Sequence, residues 1–204
     1  MLYGTSSIRV DMYHNLSIKL DLEFKQRCEV FISLLGQWGR VHNLSGRLDR
    51  ASIEENIIDS IYPLKYIDEF KSFLDVGTGA GYPGMILAMA RSDIKGFLVE
   101  PRAKRVAFLN FVKSSLGLNN LVILQQRIED VILDHPIELI TSRAVTNTKL
   151  LLDITSHLRD KNTKYLFYKG SNIYEELEQI TLEEKEIFKK DDRQYLYIRK
   201  IGDI

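Results

Sequence analysis

The sequence predicts a doubly wound α/β fold, in which helices cover both faces of a mostly parallel sheet. Three observations support this prediction. From Ser72 onward, short apolar runs alternate with helical patterns, as they do in parallel sheets that are buried on both faces. A glycine-rich loop directly follows the first of these runs. The last two apolar segments are separated by a short polar stretch, residues 191–193, which is typical of an antiparallel hairpin.

Length and composition set limits on the class of protein. The 204 residues suffice for one α/β domain with a modest addition. Lys plus Arg equals Asp plus Glu, at 28 each, which argues against wholesale nucleic-acid binding but allows a local basic patch. Cys28 is the only cysteine and cannot form an internal disulfide, so a reducing cytoplasm is expected. We expect no membrane contact, because no run approaches about 20 apolar residues and residues 1–11 lack a signal-peptide pattern.

Residues 1–65 are predicted to form a helical extension, and residues 66–204 are predicted to form the α/β domain. Apolar residues recur at helical spacing in the extension, at Leu20, Phe24, Phe31, Leu35 and Trp38. A turn is predicted at 43–46. The segment from Ser52 to Glu55 has the pattern of a capping box, which predicts that a second helix begins there.

The domain itself is predicted to contain five central strands and a terminal hairpin. The predicted strands are 73–76, 96–100, 121–124, 139–142 and 165–168. The hairpin is predicted to pair 187–190 with 195–199. Among the intervening helices, one is expected to begin near Pro101 and end at Gly117, and another is expected to be capped by Asn172 with Glu175.

The sharpest motif is the glycine-rich loop from Asp75 to Gly84, and two ligand classes compete for it. Its second half matches the dinucleotide fingerprint, which by itself is a weak signal. Three features favour S-adenosylmethionine. Asp75 opposes a pyrophosphate but suits a sulfonium or ammonium group. The glycines begin too early for a dinucleotide site, at Gly77, Gly79 and Gly81. S-adenosylmethionine also has no phosphate to place on the helix N-terminus.

Acidic residues follow the next two strands in the order that a nucleoside ligand requires. Glu100 is expected to accept the ribose hydroxyls of either cofactor. The alternative is that Asp75 and Glu100 are ordinary solvated strand ends. Ile128 and Glu129 follow the third strand, where this fold usually meets an adenine edge, although acids at a helix N-terminus are an equal alternative there.

Together these motifs resemble the bacterial 16S rRNA guanine-N7 methyltransferases, known as RsmG or GidB, which have the class I methyltransferase fold. The resemblance runs through the glycine loop with its Pro83 and through Ser142-Arg143-Ala144. It also includes the segments 43–45, 58–60, 104–109, 127–129 and 169–170, together with Trp38. The family usually has histidine where this sequence has Asn56, which puts any substrate role of that position in doubt.

The resemblance implies S-adenosylmethionine as cofactor and N7 of a guanine in 16S rRNA, free or in the small ribosomal subunit, as the methylated atom. It implies cofactor contacts at Gly77, Tyr82, Ile128, Glu129 and Arg143. The alternatives are a methyltransferase acting on another RNA or a small molecule, a nicotinamide-dinucleotide oxidoreductase, and an RNA-binding module without enzymatic activity. Nothing in the sequence requires a dimer, so a monomer is expected.

The chemistry of N7 methylation needs few protein groups. Guanine N7 carries an exposed lone pair, so no general base is required, and catalysis can depend on orientation. No metal site is expected, because His14, His42, His135 and His157 lack metal-ligand spacing.

Three cations are candidates for positioning RNA phosphates, because each lies at or just after the end of a different strand: Arg127, Arg143 and Lys169. Unrelated surface ion pairs are the alternative, and Arg143 could also neutralise Glu129. Arg40, Arg47 and Arg50 could extend the basic surface, or they could belong to a solvated loop.

Overall fold

The computed structural model describes residues 22–42 (without the side chains of 40–42), 44, 47–178 and 180–202. Its centre is a seven-stranded sheet of order β3-β2-β1-β4-β5-β7-β6. The strands are β1 Ser72–Val76, β2 Lys95–Val99, β3 Leu121–Leu124, β4 Leu139–Arg143, β5 Lys164–Lys169, β6 Leu182–Lys190 and β7 Arg193–Ile201. The first five strands are mutually parallel, and β7 runs antiparallel to β5 and β6. The predicted fold is therefore confirmed.

Helices lie on both faces of the sheet. The α-helices are α1 Leu22–His42, α2 Arg50–Ile61, α3 Gly84–Ala90, α4 Ala103–Leu116, α5 Thr148–Ile154 and α6 Ile173–Leu177, with 3-10 turns at Tyr62–Lys65, Ile128–Asp130 and Ser156–Leu158. Adjacent residues of β1 point into different cores, with Phe73 on the side of α1 to α4 and Leu74 on the side of α5 and α6. No helix within the described ranges is both long and apolar enough to cross a bilayer.

The N-terminal helices share the hydrophobic core of the sheet. Phe24, Phe31 and Leu35 are buried together with Phe73 and with side chains of α3 and α4, as the helical spacing predicts. The predicted stripe residue Leu20 and the turn residues 43, 45 and 46 lie outside the described residues.

Two predicted helix caps are wrong. Helix α2 is capped by Asp49, whose carboxylate accepts hydrogen bonds from the Ser52 backbone N–H at 2.9 Å and from its hydroxyl at 2.8 Å. Asn172 makes no capping bond, because its backbone angles (φ −82°, ψ 9°) lack the extended conformation that an N-cap needs. Helix α6 is short and ends at Leu177.

The terminal hairpin is longer than predicted and ties the sheet to the N-terminal part. It turns at Asp191 and Asp192, where Asp191 adopts a positive φ of 51°. Three tyrosine hydroxyls of the sheet reach back across the chain: Tyr168 donates to the Ser60 carbonyl at 2.5 Å, Tyr195 to Asp59 at 2.7 Å and Tyr197 to Asp68 at 3.1 Å. Helix α2 is thereby fixed beside the ends of β5 and β7.

Candidate cofactor site and neighbouring cavity

A cavity of about 350 Å³ opens at the carboxyl ends of β1 and β2, where ligands bind in sheets of this type. We name it the glycine-loop cavity. It is lined by Val76, Gly77, Val99, Glu100, Pro101, Arg102, Arg105, Arg127, Ile128, Glu129, Ala144, Val145 and Ile154. Four residues predicted to contact the cofactor line this cavity: Gly77, Glu100, Ile128 and Glu129. Arg127, predicted to position RNA, lies there too. The sequence did not single out the apolar wall of Val99, Val145 and Ile154.

The glycine loop needs its glycines for backbone geometry. Gly77 and Gly79 have φ values of +66° and +61°, and Gly81 has +105°, which L-residues with side chains rarely adopt. A Cβ at Gly77 would lie 2.6 Å from a methyl carbon of Val145, and one at Gly81 would lie 2.9 Å from Cβ of Met85. At Gly79 an added Cβ would make only ordinary van der Waals contact, 3.7 Å from a guanidinium nitrogen of Arg105.

Glu100 is the buried acid of the glycine-loop cavity. Its side chain is 3% exposed. One carboxylate oxygen accepts from the Gly79 backbone N–H at 3.1 Å, and the other accepts from the Arg102 N–H at 2.9 Å. Arg105 approaches the first oxygen at 3.3 Å. Glu100 is therefore not a solvated strand end, because it fixes the glycine loop against the end of β2.

Asp75 stabilises the end of the glycine loop through a hydrogen bond and does not line the cavity. It lies inside β1, fully buried, and its Oδ2 accepts from the Gly84 N–H at the start of α3, at 2.9 Å. Its Oδ1 has no hydrogen-bond partner within the described part of the chain. Burial raises the pKa of this carboxyl to about 7. The alternative of a solvated strand end is excluded for Asp75 also.

Tyr82 and Arg143 pack together behind the loop. The Tyr82 ring is buried against Phe31, and the Arg143 guanidinium lies 4.6 Å from its centroid, within cation–π distance. Arg143 donates to Oδ1 of Asn56 at 2.7 Å and to Asp59 at 3.2 Å. Arg143 therefore does not neutralise Glu129, a pairing that the sequence allowed, because α2 supplies the acceptors instead.

The three candidate cations do not form one exposed patch. Arg127 is exposed on the rim of the glycine-loop cavity, and its side chain makes no hydrogen bond or ion pair with any described residue. Lys169 is only 8% exposed, and its ammonium group is held by Glu176 at 2.7 Å and by the Thr146 carbonyl at 3.2 Å. Spacing along the strands placed all three at one sheet edge but could not show which side chains were already paired.

A second cavity, of about 470 Å³, lies between α2 and the hairpin turn. We name it the hairpin cavity. It is lined by Arg47, Ser52, Glu55, Asn56, Asp59, Lys190, Asp191, Asp192 and Arg193. Sequence reasoning missed it, because no local signal brings residues 47–59 beside residues 190–193. Arg40 was another expected contributor of positive charge, but its side chain lies outside the described residues.

The residues of the glycine-loop cavity fit a nucleoside with a sulfonium-bearing tail. They supply a buried carboxylate at Glu100, an apolar wall and the glycine backbone at Gly77, whereas Gly79 and Gly81 do not line the cavity. Solved structures share the fold: a methyltransferase from Geobacter sulfurreducens aligns with a TM-score of 0.61 at 14% identity, covering 84% of this chain and 88% of its own. A SAM-dependent O-methyltransferase from Thermotoga maritima aligns with a TM-score of 0.57 at 12% identity, covering 74% and 66%.

The fold and this site define a class I methyltransferase, and S-adenosylmethionine is its cofactor. The family model described as rRNA small subunit methyltransferase G matches residues 25–198, so the chain belongs to that family. Ribosomal RNA small subunit methyltransferase G of Aliarcobacter butzleri is 57% identical, over 90% of this chain and 94% of its own. The protein of the same name from Wolinella succinogenes is 44% identical, over 82% and 84%.

Proposed function

We propose that this enzyme methylates N7 of a guanine in 16S rRNA. The observation that carries the proposal is the family match across residues 25–198, whose relatives are named for small-subunit rRNA. The local chemistry agrees with it. The segment between the two cavities, Arg143 to Val145, contains no side chain that could remove a proton at neutral pH. An N7 acceptor needs none, because its lone pair is free.

The chain's part in this reaction is to bind the cofactor and the RNA and to orient them relative to each other. When bound, S-adenosylmethionine supplies an electrophilic methyl group, whose C–S electron pair returns to sulfur as the new C–N bond forms at N7. We propose that the Gly77 and Gly79 backbone and the Glu100 carboxylate hold the nucleoside, while Ile128 and Glu129 meet its adenine edge. The Glu100 carboxylate and the Gly79 N–H are already joined by a 3.1 Å hydrogen bond, which reduces the entropic cost of alignment.

Other predicted cofactor residues act on the loop in this proposal. Asp75 fixes the Gly84 N–H, Gly81 permits the turn, and Tyr82 supports the loop through its contact with Arg143. Arg143 itself stands between the two cavities, where it can face both cofactor and RNA.

We further propose that the enzyme works as a cytoplasmic monomer, without a metal ion, on 16S rRNA or an assembling small subunit. Among the described residues, no group of three or more His, Cys, Asp or Glu side chains could hold a metal. Residues 1–65 are proposed to be an extension of the methyltransferase domain 66–204 that forms part of the RNA-facing side.

Replacing the target guanine by 7-deazaguanine tests the methylated atom. We expect the purified enzyme to transfer labelled methyl to one guanine of a 16S rRNA fragment, located by reverse-transcription mapping. A fragment with 7-deazaguanine at that position should bind with similar affinity and accept no methyl, because a C–H replaces the N7 lone pair. Methylation of the 7-deaza fragment, or of no natural guanine, would contradict the proposal.

The salt dependence of RNA binding should separate Arg127 from Lys169. Arg127→Ala should reduce the log–log salt slope by about 0.7 to 0.9, because one phosphate contact is lost. Lys169→Ala should leave the slope unchanged and lower the thermal stability instead, because Glu176 loses its partner. Filter binding across a salt series measures the slopes. A reduced slope for Lys169→Ala with an unchanged slope for Arg127→Ala would reverse this assignment.

A further inference from the structure

The hairpin cavity lies against the cofactor site, with one short segment between them. Arg143 ends β4, and its guanidinium bonds to Asn56 and Asp59, both of which line the hairpin cavity. The next two residues, Ala144 and Val145, line the glycine-loop cavity. The Arg143 side chain and the end of β4 therefore connect the walls of the two cavities.

We propose that the hairpin cavity receives the target guanine nucleotide after it leaves the RNA stack. This inference rests on the proposed function and adds to it the place where the acceptor binds. The cavity volume, about 470 Å³, lies within the range of small-molecule sites. Enzymes that modify a base commonly take it out of the stack into such a pocket, or act on a base that is already unstacked.

The cavity supplies cations that suit the nucleotide's phosphate. Arg193 donates through Nε to Asp59 at 3.1 Å, which orients its guanidinium, and its two terminal nitrogens have no partner among the described residues. Lys190 lies at the same turn, with its ammonium 3.0 Å from Asp191. A planar guanidinium held by one nitrogen and open at the others can bind a phosphate through two parallel hydrogen bonds.

The cavity also supplies acceptors that suit a guanine base. The carboxylates of Glu55 and Asp192 line it and have no hydrogen-bond partner among the described residues. The Watson–Crick edge of guanine presents two adjacent donors, N1–H and the N2 amino group, to which a carboxylate is complementary. Because N7 lies across the ring system from that edge, a base that turns N7 toward the cofactor turns these donors toward the outer wall of the cavity.

A fluorescent base next to the target position tests the pocket without requiring methyl transfer. The probe is the 16S rRNA fragment that keeps the mapped guanine and carries 2-aminopurine at the adjacent position, whose fluorescence rises when its neighbour leaves the stack. We expect the wild-type enzyme, loaded with S-adenosylhomocysteine, to raise the signal. Arg193→Gln should weaken binding about tenfold or more and reduce the rise, because a charged hydrogen bond is lost. Arg193→Lys should recover part of the affinity.

The matched control is Arg199→Gln at the other end of β7. Arg199 also bonds an aspartate through Nε, Asp68 at 3.2 Å, but lies far along the strand from the hairpin turn. The RNA affinity of the Arg199→Gln variant should stay within about twofold of the wild-type affinity. S-adenosylhomocysteine affinity should be unchanged in all variants. Should Arg193→Gln unfold, Lys190→Gln at the turn replaces it, because that variant leaves the contacts of Asp59 intact.

The outcomes separate this inference from the proposed function. If the wild type methylates its guanine but Arg193→Gln and Lys190→Gln both behave like Arg199→Gln, the hairpin cavity is not the acceptor pocket. If the wild type methylates no guanine in 16S rRNA, the proposed function itself is overturned.

Discussion

Gly79→Ala is expected to abolish detectable binding of S-adenosylhomocysteine while the protein stays folded. Gly79 has a φ of +61°, and an added Cβ would lie in ordinary van der Waals contact, 3.7 Å from a guanidinium nitrogen of Arg105, without a clash inside the protein. We expect the methyl group to occupy space that the ligand needs beside the backbone. It would also strain the backbone, whose N–H donates to Glu100. Calorimetric titration should show a loss of affinity of about a hundredfold or more.

Gly117→Ala is the control for the backbone strain. Gly117 ends α4 with a φ of +63° and has nothing within 4 Å of an added Cβ. The free energy of unfolding should fall by a similar amount in both variants, roughly 1 to 2 kcal/mol, because both force alanine into the left-handed region. Only Gly79→Ala should lose its affinity for S-adenosylhomocysteine. Unchanged cofactor affinity in Gly79→Ala would show that the ligand does not approach this part of the loop.

Asp75→Asn is expected to remove a large part of the pH dependence of stability. Burial raises the pKa of the Asp75 carboxyl from its usual 3.8 to about 7 in the folded protein. Between these two values the folded state keeps a proton that the unfolded chain has released, so stability falls as pH rises from about 4 to about 7. The full pKa shift corresponds to a change of about 4 kcal/mol in the free energy of unfolding. Asparagine is neutral throughout, and its amide oxygen can still accept from the Gly84 N–H.

Chemical denaturation at a series of pH values measures this effect. The wild type should lose unfolding free energy between about pH 4 and pH 7, and Asp75→Asn should lose less. Asp153→Asn serves as the control, because that aspartate is exposed on α5, and its profile should follow the wild type. Parallel profiles for the wild type and Asp75→Asn would show that the buried carboxyl titrates near its usual pKa.

The sheet could be predicted from sequence because each strand carries its own signal. A run such as Leu121 to Leu124 is apolar throughout and ends at polar residues, so its place in a buried sheet is visible locally. The ends of helices were less predictable. Asp49 and Ser52 are both good caps, and backbone conformation rather than residue type decides between them.

The site was predicted only where it depends on local sequence. Gly77 and Glu100 lie at strand ends that the pattern identifies, and both line the glycine-loop cavity. Three features depend on side chains that only the tertiary fold brings together. They are the burial of the Asp75 carboxylate beneath the loop, the ion pair of Lys169 with Glu176, and the hairpin cavity. The bond between Asp59 and Arg193 joins residues 134 positions apart, and no periodicity reports such a contact.

The bonds from Asp59 to β7 also bear on when this enzyme becomes functional during its own synthesis. Asp59 is translated early, whereas its partners Arg193 and Tyr195 belong to the last strand. Until that strand leaves the ribosomal exit tunnel, the carboxylate lacks two of its three partners, and one wall of the hairpin cavity does not exist. Long-range contacts of this kind form late, because distant parts of the chain must first meet. A nascent chain that already holds the glycine loop is thus still without its second cavity.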